Sequence, residues 1–189
     1  MRLLRWSLPL FVMVAWCGAA SAQTLVPGRF IDELKIGLLR HDAGIFGSNK
    51  EDGADVNLEA RFASPDFLSA LFAPRPHLGV SINTAGDTNQ VYAGLTWTIP
   101  LFRGLFSTTD SLYLDASIGG AAHDGKLDTD APDRKSLGSR FLFRESLELG
   151  YSFTPSQSVS IMLDHVSNAN LANRNEGLDN LGIRYGIKF

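Results

Sequence analysis

The chain has 189 residues, of which 44% are hydrophobic and 20% charged, and its formal net charge is −3. That length suits one domain, and the acidic balance argues against nucleic-acid binding, which needs clustered Lys and Arg. Outside the N-terminus no apolar run is long enough for a transmembrane helix.

The first segment reads as a secretory signal peptide over residues 1–22. Arg2 and Arg5 form the positive region, Leu8–Trp16 the short apolar stretch, and Ala20-Ser21-Ala22 the small-residue cleavage site, with Gln23 as the first mature residue. The apolar stretch is too short to span a bilayer. Cys17, the one cysteine, leaves with it, so the mature chain has no disulfide or thiolate metal site. Trp16 stands where a lipoprotein acceptor site needs a small residue. Residues 23–189 form one domain.

That domain reads as eight strands separated by turn signals: Glu33–Asp42, Ala54–Ala63, Arg75–Thr84, Gln90–Ile99, Ser111–Ala121, Arg140–Tyr151, Ser158–Ser167 and Asn180–Phe189. Each has roughly the 9–11 residues of a transmembrane β-strand. Between them lie Gly47-Ser48-Asn49-Lys50, Ala85-Gly86-Asp87-Thr88-Asn89 and Thr154-Pro155-Ser156-Gln157, whose residue types accept the backbone angles of a reversal. Leu58, Ala60 and Phe62 alternate with Asn57, Glu59 and Arg61; Val91, Ala93, Leu95, Trp97 and Ile99 alternate with Tyr92, Gly94, Thr96 and Thr98. Successive side chains on a strand point to opposite faces, so each segment has an apolar and a polar side. Phe67–Pro76 is an apolar connector, read as a short helix or turn packed at the end of the fold. Asp124–Arg134 is an exposed loop rich in Asp, Gly and Pro.

A soluble sandwich also alternates in this way. The final strand separates the two: Leu181, Ile183, Tyr185, Ile187 and Phe189 are apolar at every second position and the chain ends on the aromatic. This resembles the terminal signature of bacterial outer-membrane proteins. The fold class expected is therefore all-β, an eight-stranded antiparallel transmembrane barrel of the bacterial outer membrane. Its polar face, with Arg61, Glu59, Glu148, Arg184 and Lys188, would point inward and pair its charges there.

The densest polar cluster runs from Asp164 to Asn170 and resumes from Asn173 to Asp179. His165 and Ser167 are in step with Val159, Ile161 and Leu163, and Asp179 is in step with Leu181, Ile183 and Tyr185. A histidine, a serine and a carboxylate thus project from the apolar, lipid-facing side near one hairpin. Polar groups there are costly, which marks a functional site. The chemistry fits an esterase: a serine hydroxyl needs a base to take its proton, and a carboxylate fixes the histidine's tautomer. Asn168, Asn170 and Asn175 supply amides that could donate to an oxyanion. His41, His77 and His123 are isolated and read as barrel or loop residues. No spacing for a metal or nucleotide site occurs, so no cofactor is expected.

The residues His165-x-Ser167-Asn168-Ala169, followed by Asn175-x-Gly177-x-Asp179, resemble the lipid A 3-O-deacylase (PagL-like acyloxyacyl hydrolase) family over about 25 residues. The resemblance implies an outer-membrane barrel that hydrolyses the ester at the 3 position of lipid A in lipopolysaccharide. It assigns Ser167 as nucleophile, His165 as base and Asp179 as carboxylate, with oxyanion help from Asn175 and support from Asn168. A homodimer is among the assemblies open to it. One departure stands out: the best-known members carry glutamate where this chain has Asp179, one methylene shorter, which must then sit nearer the histidine. Glu176 is the second choice of carboxylate. Two other functions compete: a non-catalytic small barrel with a structural or surface-interaction role, and a barrel that transfers an acyl group to an acceptor other than water.

Overall fold

The computed structural model describes residues 30–189, so the signal peptide expected over residues 1–22 lies outside the described residues. Eight strands form one closed barrel: β1 Ile31–Arg40, β2 Ala54–Phe62, β3 Arg75–Asn83, β4 Gln90–Arg103, β5 Ser111–His123, β6 Phe141–Thr154, β7 Gln157–Ser167 and β8 Leu178–Lys188. Every strand pairs antiparallel with its sequence neighbour, and β1 closes on β8 through Glu33↔Lys188 to Arg40↔Leu181. Closure leaves no strand edge unpaired, which is what a spanning sheet requires where no water can satisfy the backbone.

The strands follow the expected segments closely, with three informative shifts. β4 continues past Ile99 through Pro100 to Arg103, because a register shift between Pro100 and Phe102 absorbs the missing N–H. β1 stops at Arg40, where Asp42 turns the chain with φ 43°. β8 begins at Leu178, so Asp179 belongs to the ladder.

The two faces are inverted relative to a soluble protein. Leu38, Leu78, Ile161 and Ile183 lie half or more exposed on the outer wall, while Lys35, Glu59, Arg61, Asp115, Glu148 and Arg184 are buried inside. An apolar band outside and a polar core inside is the arrangement of a barrel facing hydrocarbon. Most of the inner charges pair as expected: Lys35 Nζ to Glu148 at 2.6 Å, Arg61 to Glu59 at 2.7 Å and to Asp115, Arg184 to Glu59 at 2.8 Å, and Arg144 to Asp164 at 2.7 Å. Lys188 differs, making no ion pair among the described residues and lying 5.6 Å from the Tyr113 ring centroid, because it sits at the open end of the interior at the last position of β8. Removing one partner of such a pair leaves an uncompensated buried charge and costs roughly 3–5 kcal/mol. Space for this network comes partly from Gly79, where a Cβ would collide with the paired Tyr92 ring.

The two longest loops, 41–53 and 124–140, crown one end together with 84–89 and 168–177, while the other end carries 63–74, 104–110 and the two-residue turn Pro155-Ser156. Long loops mark the extracellular end of such barrels and short turns the periplasmic end. The loop over Asp124–Arg134 is largely exposed, but the same connection then dips inward: Lys135, Ser136 and Leu137 are buried in the barrel mouth, with Leu137 in an apolar cluster with Tyr92, Ala121, Leu142, Val166 and Leu178.

Candidate active site

β7 carries its alternation through to its last residue. Ser158, Ser160, Met162, Asp164 and Val166 are buried inside, and Val159, Ile161, Leu163, His165 and Ser167 face outward. On β8, Asp179 shares parity with outward Leu181, Ile183 and Tyr185. His165 and Asp179 are direct register partners. Opposed side chains on adjacent strands stand about 5 Å apart, a span a short side chain can bridge. His165 Nδ1 lies 2.6 Å from Asp179 Oδ1. The aspartate thus meets the histidine without the extra methylene of a glutamate.

Asp179 is nonetheless 2% exposed, because the loop after β1 folds over it. The Ala43 N–H donates to its carbonyl at 2.6 Å, and the Phe46 N–H donates to Oδ2 at 2.7 Å. The Phe46 ring stands edge-on to the His165 ring with centroids 5.7 Å apart. Both carboxylate oxygens are therefore engaged, one by the histidine and one by the loop. With Nδ1 turned to the carboxylate, His165 keeps Nε2 for other chemistry. Gly177 packs beside this ring with φ 65°, and a Cβ there would lie 3.1 Å from His165 Cε1.

Ser167 ends β7 opposite Phe143 of β6, two residues along the outward face from His165. Among the described residues no hydrogen bond joins its hydroxyl to the histidine. Such contacts are often long in an unliganded site and tighten on substrate binding. The chain then turns through Ala169 and Asn170, both left-handed at φ 53° and 62°. Asn168 spends its amide hydrogens on Leu137 O at 2.8 Å and Arg174 O at 2.6 Å, so its side chain organises the loop and has no proton left for an oxyanion. Asn175 accepts the Asn168 N–H at 2.9 Å and donates once, to Asn170 Oδ1 at 3.1 Å. Its second amide hydrogen can still be donated.

Glu176 faces elsewhere. Its carboxylate meets Lys50 Nζ at 2.5 Å and accepts the Ser136 N–H at 2.6 Å. Burial pushes its carboxyl up, but Lys50 and that N–H outweigh it and hold it below the usual range. It ties three loops together. His41 does similar work: its ring sits between Glu51, 3.0 Å from Nε2, and Asp55, 2.8 Å from Nδ1. Burial alone would lower its pKa; the two carboxylates raise it to about 9, and burial of Glu51 is likewise overcome by His41 and the Lys135 N–H, holding it at about 2. Lys135 Nζ completes the assembly at 3.0 Å from Asp42. His77 hydrogen-bonds to Thr96 inside the barrel and His123 to Ser139 O.

Two residues that the sequence analysis does not single out belong to this neighbourhood. Phe46 leaves no periodic trace, since it acts through a backbone N–H and a distant loop. Glu145 does leave one: it faces outward between Phe143 and Leu147, and its register partner is His165.

The sequence pattern of the lipid A 3-O-deacylase (PagL) family matches residues 52–188. The lipid A deacylase PagL of Bordetella bronchiseptica is 32% identical over 117 residues, an alignment spanning 60% of this chain and 61% of that relative. In fold, the chain is similar to the crystal structure of the outer membrane enzyme PagL, with a TM-score of 0.63 at 20% identity over 83% of this chain and 99% of that one. It is also similar to Neisserial surface protein A, with a TM-score of 0.50 at 12% identity over 83% and 96%. With most of the barrel inside the family match, and with the His165–Asp179 pair and Ser167 on its outer wall, the chain belongs to the lipid A 3-O-deacylase (PagL) family.

Proposed function

We propose that the protein is an outer-membrane esterase that hydrolyses the 3-O-linked acyl chain of lipid A, with Ser167 as nucleophile, His165 as base and Asp179 as the carboxylate that orients it. The observation that carries this reading is the 2.6 Å contact between His165 Nδ1 and Asp179 on the lipid-facing wall. A carboxylate on Nδ1 fixes the tautomer in which Nε2 can take a proton, and it stabilises the imidazolium that results.

In this mechanism Ser167 Oγ attacks the ester carbonyl while His165 Nε2 accepts the hydroxyl proton. The second amide hydrogen of Asn175 meets the charge growing on the carbonyl oxygen. The tetrahedral intermediate collapses, the sugar oxygen leaves with the proton from His165, and the acyl chain stays on Ser167. Water, deprotonated by the same nitrogen, then releases the fatty acid. The position suits the substrate: Leu163 and Ile161 below the site and Phe143 beside it face hydrocarbon, and the polar loops lie above. An ester at the boundary between acyl chains and sugar reaches the site without leaving the membrane.

The test is product analysis by mass spectrometry after refolded protein is incubated with lipid A in ¹⁸O-water. Lipid A lacking one 3-hydroxyacyl chain, with ¹⁸O in the freed acid, supports the reading. A newly acylated acceptor lipid would make the protein an acyltransferase. Unchanged lipid A with a folded barrel would favour the non-catalytic role.

A further inference from the structure

The connector between β2 and β3 departs from the sequence expectation in an instructive way. It forms the expected short helix, a 3₁₀ turn over Asp66–Leu71, yet none of its residues is buried. Phe67, Leu71 and Phe72 are 78%, 52% and 82% exposed. The helix closes through two left-handed residues, Phe72 at φ 64° and Ala73 at φ 49°. The Phe72 N–H donates to Ser69 O at 3.1 Å and the Ala73 N–H to Leu68 O at 3.0 Å. A bulky aromatic with positive φ is an outlier that persists only where surroundings hold it. Here the chain accepts that conformation and still presents its largest apolar side chains outward.

Two observations say what covers them. The Trp97 indole N–H, on the outer wall of β4, donates to Leu71 O at 2.8 Å, so the connector leans against the lipid-facing side of the barrel. Trp97 is also not at the end of its strand. It pairs with Ala116, and the β4–β5 ladder continues to Arg103↔Ser111, roughly 20 Å of further strand. Outward Ile99 and Phe102 in that stretch are exposed. The connector is thus flanked by apolar barrel wall, and Phe30, its ring tilted against that of Phe62 with centroids 4.9 Å apart, extends the same rim. Aromatic residues of this kind mark the membrane–water boundary, and exposed Asp66 and Ser69 suit headgroups.

We infer that Asp66–Ala73 is an in-plane membrane foot, which rests in the phospholipid of the leaflet at the short-turn end, with Phe67, Leu71 and Phe72 among the acyl chains. It seats the barrel at a fixed depth and so fixes the height of the loop-end site relative to the opposite leaflet.

A mature chain without the leader has no cysteine of its own, because Cys17 is the one cysteine. Phe67→Cys, carrying a nitroxide, is therefore a unique probe in the complete barrel. In phosphatidylethanolamine–phosphatidylglycerol vesicles its relaxation is measured with oxygen, which partitions into lipid, and with a water-soluble nickel chelate. The expected result is oxygen contact several-fold above nickel contact, as at a wall control, Ile161→Cys. Nickel contact dominating, as at the loop control Asp130→Cys, places the connector in water and overturns the inference. Low contact with both, together with a doubled mass in sedimentation, assigns the patch to a second copy and also overturns it. Trp97 gives an independent reading without labelling, since Trp6 and Trp16 lie in the leader. Its emission should be quenched by phospholipid brominated near the headgroup, several-fold more than in Phe67→Ser/Phe72→Ser. Equal quenching in both would contradict a foot that holds this wall at the boundary.

Discussion

Replacing Asp179 by asparagine isolates the carboxylate's chemistry from its structural role. The carboxamide keeps the size of the side chain. Its oxygen can still accept the Phe46 N–H, now 2.7 Å from Oδ2, and its NH₂ can face His165 Nδ1, now 2.6 Å from Oδ1. The fold should therefore hold, with unchanged heat-dependent migration on a gel. The tautomer should not: a donor facing Nδ1 leaves the proton on Nε2, so the ring no longer accepts one from Ser167. The same exchange in a serine-protease triad costs about 10⁴ in turnover. His165 here is partly solvent-exposed, its side chain at 27%, and water can restore some of the productive tautomer. A loss of roughly 10²–10⁴ is expected, or about 2.7–5.5 kcal/mol of transition-state stabilisation. The assay is fatty-acid release from lipid A at saturating substrate, beside Glu176→Gln. That second change loosens a half-open contact to Lys50, a kind of pair worth about 1 kcal/mol or less, and should leave turnover within a few-fold. Asp179→Asn turnover equal to wild type, or a larger loss in Glu176→Gln, would refute the assignment of the carboxylate.

Phe46→Pro removes the N–H on Asp179 Oδ2 while Phe46→Ala keeps it. A hydrogen bond to a charged group is worth about 1.5–3 kcal/mol, so kcat should fall roughly 10–100-fold in the proline variant and much less in the alanine variant; equal losses would make the ring, not the N–H, the relevant contact. Gly177→Ala combines positive φ with a Cβ 3.1 Å from His165 Cε1; it should lower kcat by roughly tenfold with an intact barrel, and full activity would show the ring does not depend on that packing. The β1–β2 loop should respond to pH through His41 and Glu51. Because the His41 pKa is raised from 6.5 to about 9, its contribution is full below 6.5 and is lost as pH rises through 9. Glu51 is depressed from 4.5 to about 2, so its contribution is full above 4.5 and is lost as pH falls through 2. Hydrogen exchange of residues 41–53, corrected for intrinsic rates, should show protection collapsing near pH 9 in wild type, and protection that is already weak, with no step there, in His41→Asn; a step retained in the variant would assign it to another group.

The barrel was legible because period-two alternation survives inversion: the same pattern that hides apolar side chains in a soluble sheet turns them outward here. The terminal strand Leu181–Phe189 supplied the direction. Parity also places His165, Ser167 and Asp179 on one wall, and the same rule marks Glu145, whose outward position is masked by its phenylalanine and leucine neighbours. β4 ran on past Pro100 because a bulge tolerates what a regular ladder would not. Contacts made by irregular chain carried no signal at all. The Phe46 N–H, the buried Lys135–Leu137 segment and the Asn168 amide on Leu137 O join loops more than thirty residues apart, through backbone groups every residue possesses. The apolar connector reads as a short helix or turn packed at the end of the fold; the helix forms, but none of its residues is buried, because sequence shows that Phe67, Leu71 and Phe72 need an apolar medium, not whether that medium is protein or lipid.

The most direct test of the central claim is fatty-acid release from lipid A by Ser167→Ala, verified as a folded barrel, beside wild type. Release should fall to the background of lipid alone, because among the described residues Ser167 is the hydroxyl on the outward face of β6, β7 and β8 beside His165. Release persisting at a substantial fraction of wild type would mean that another group attacks the ester and that the outward-facing serine is not the nucleophile.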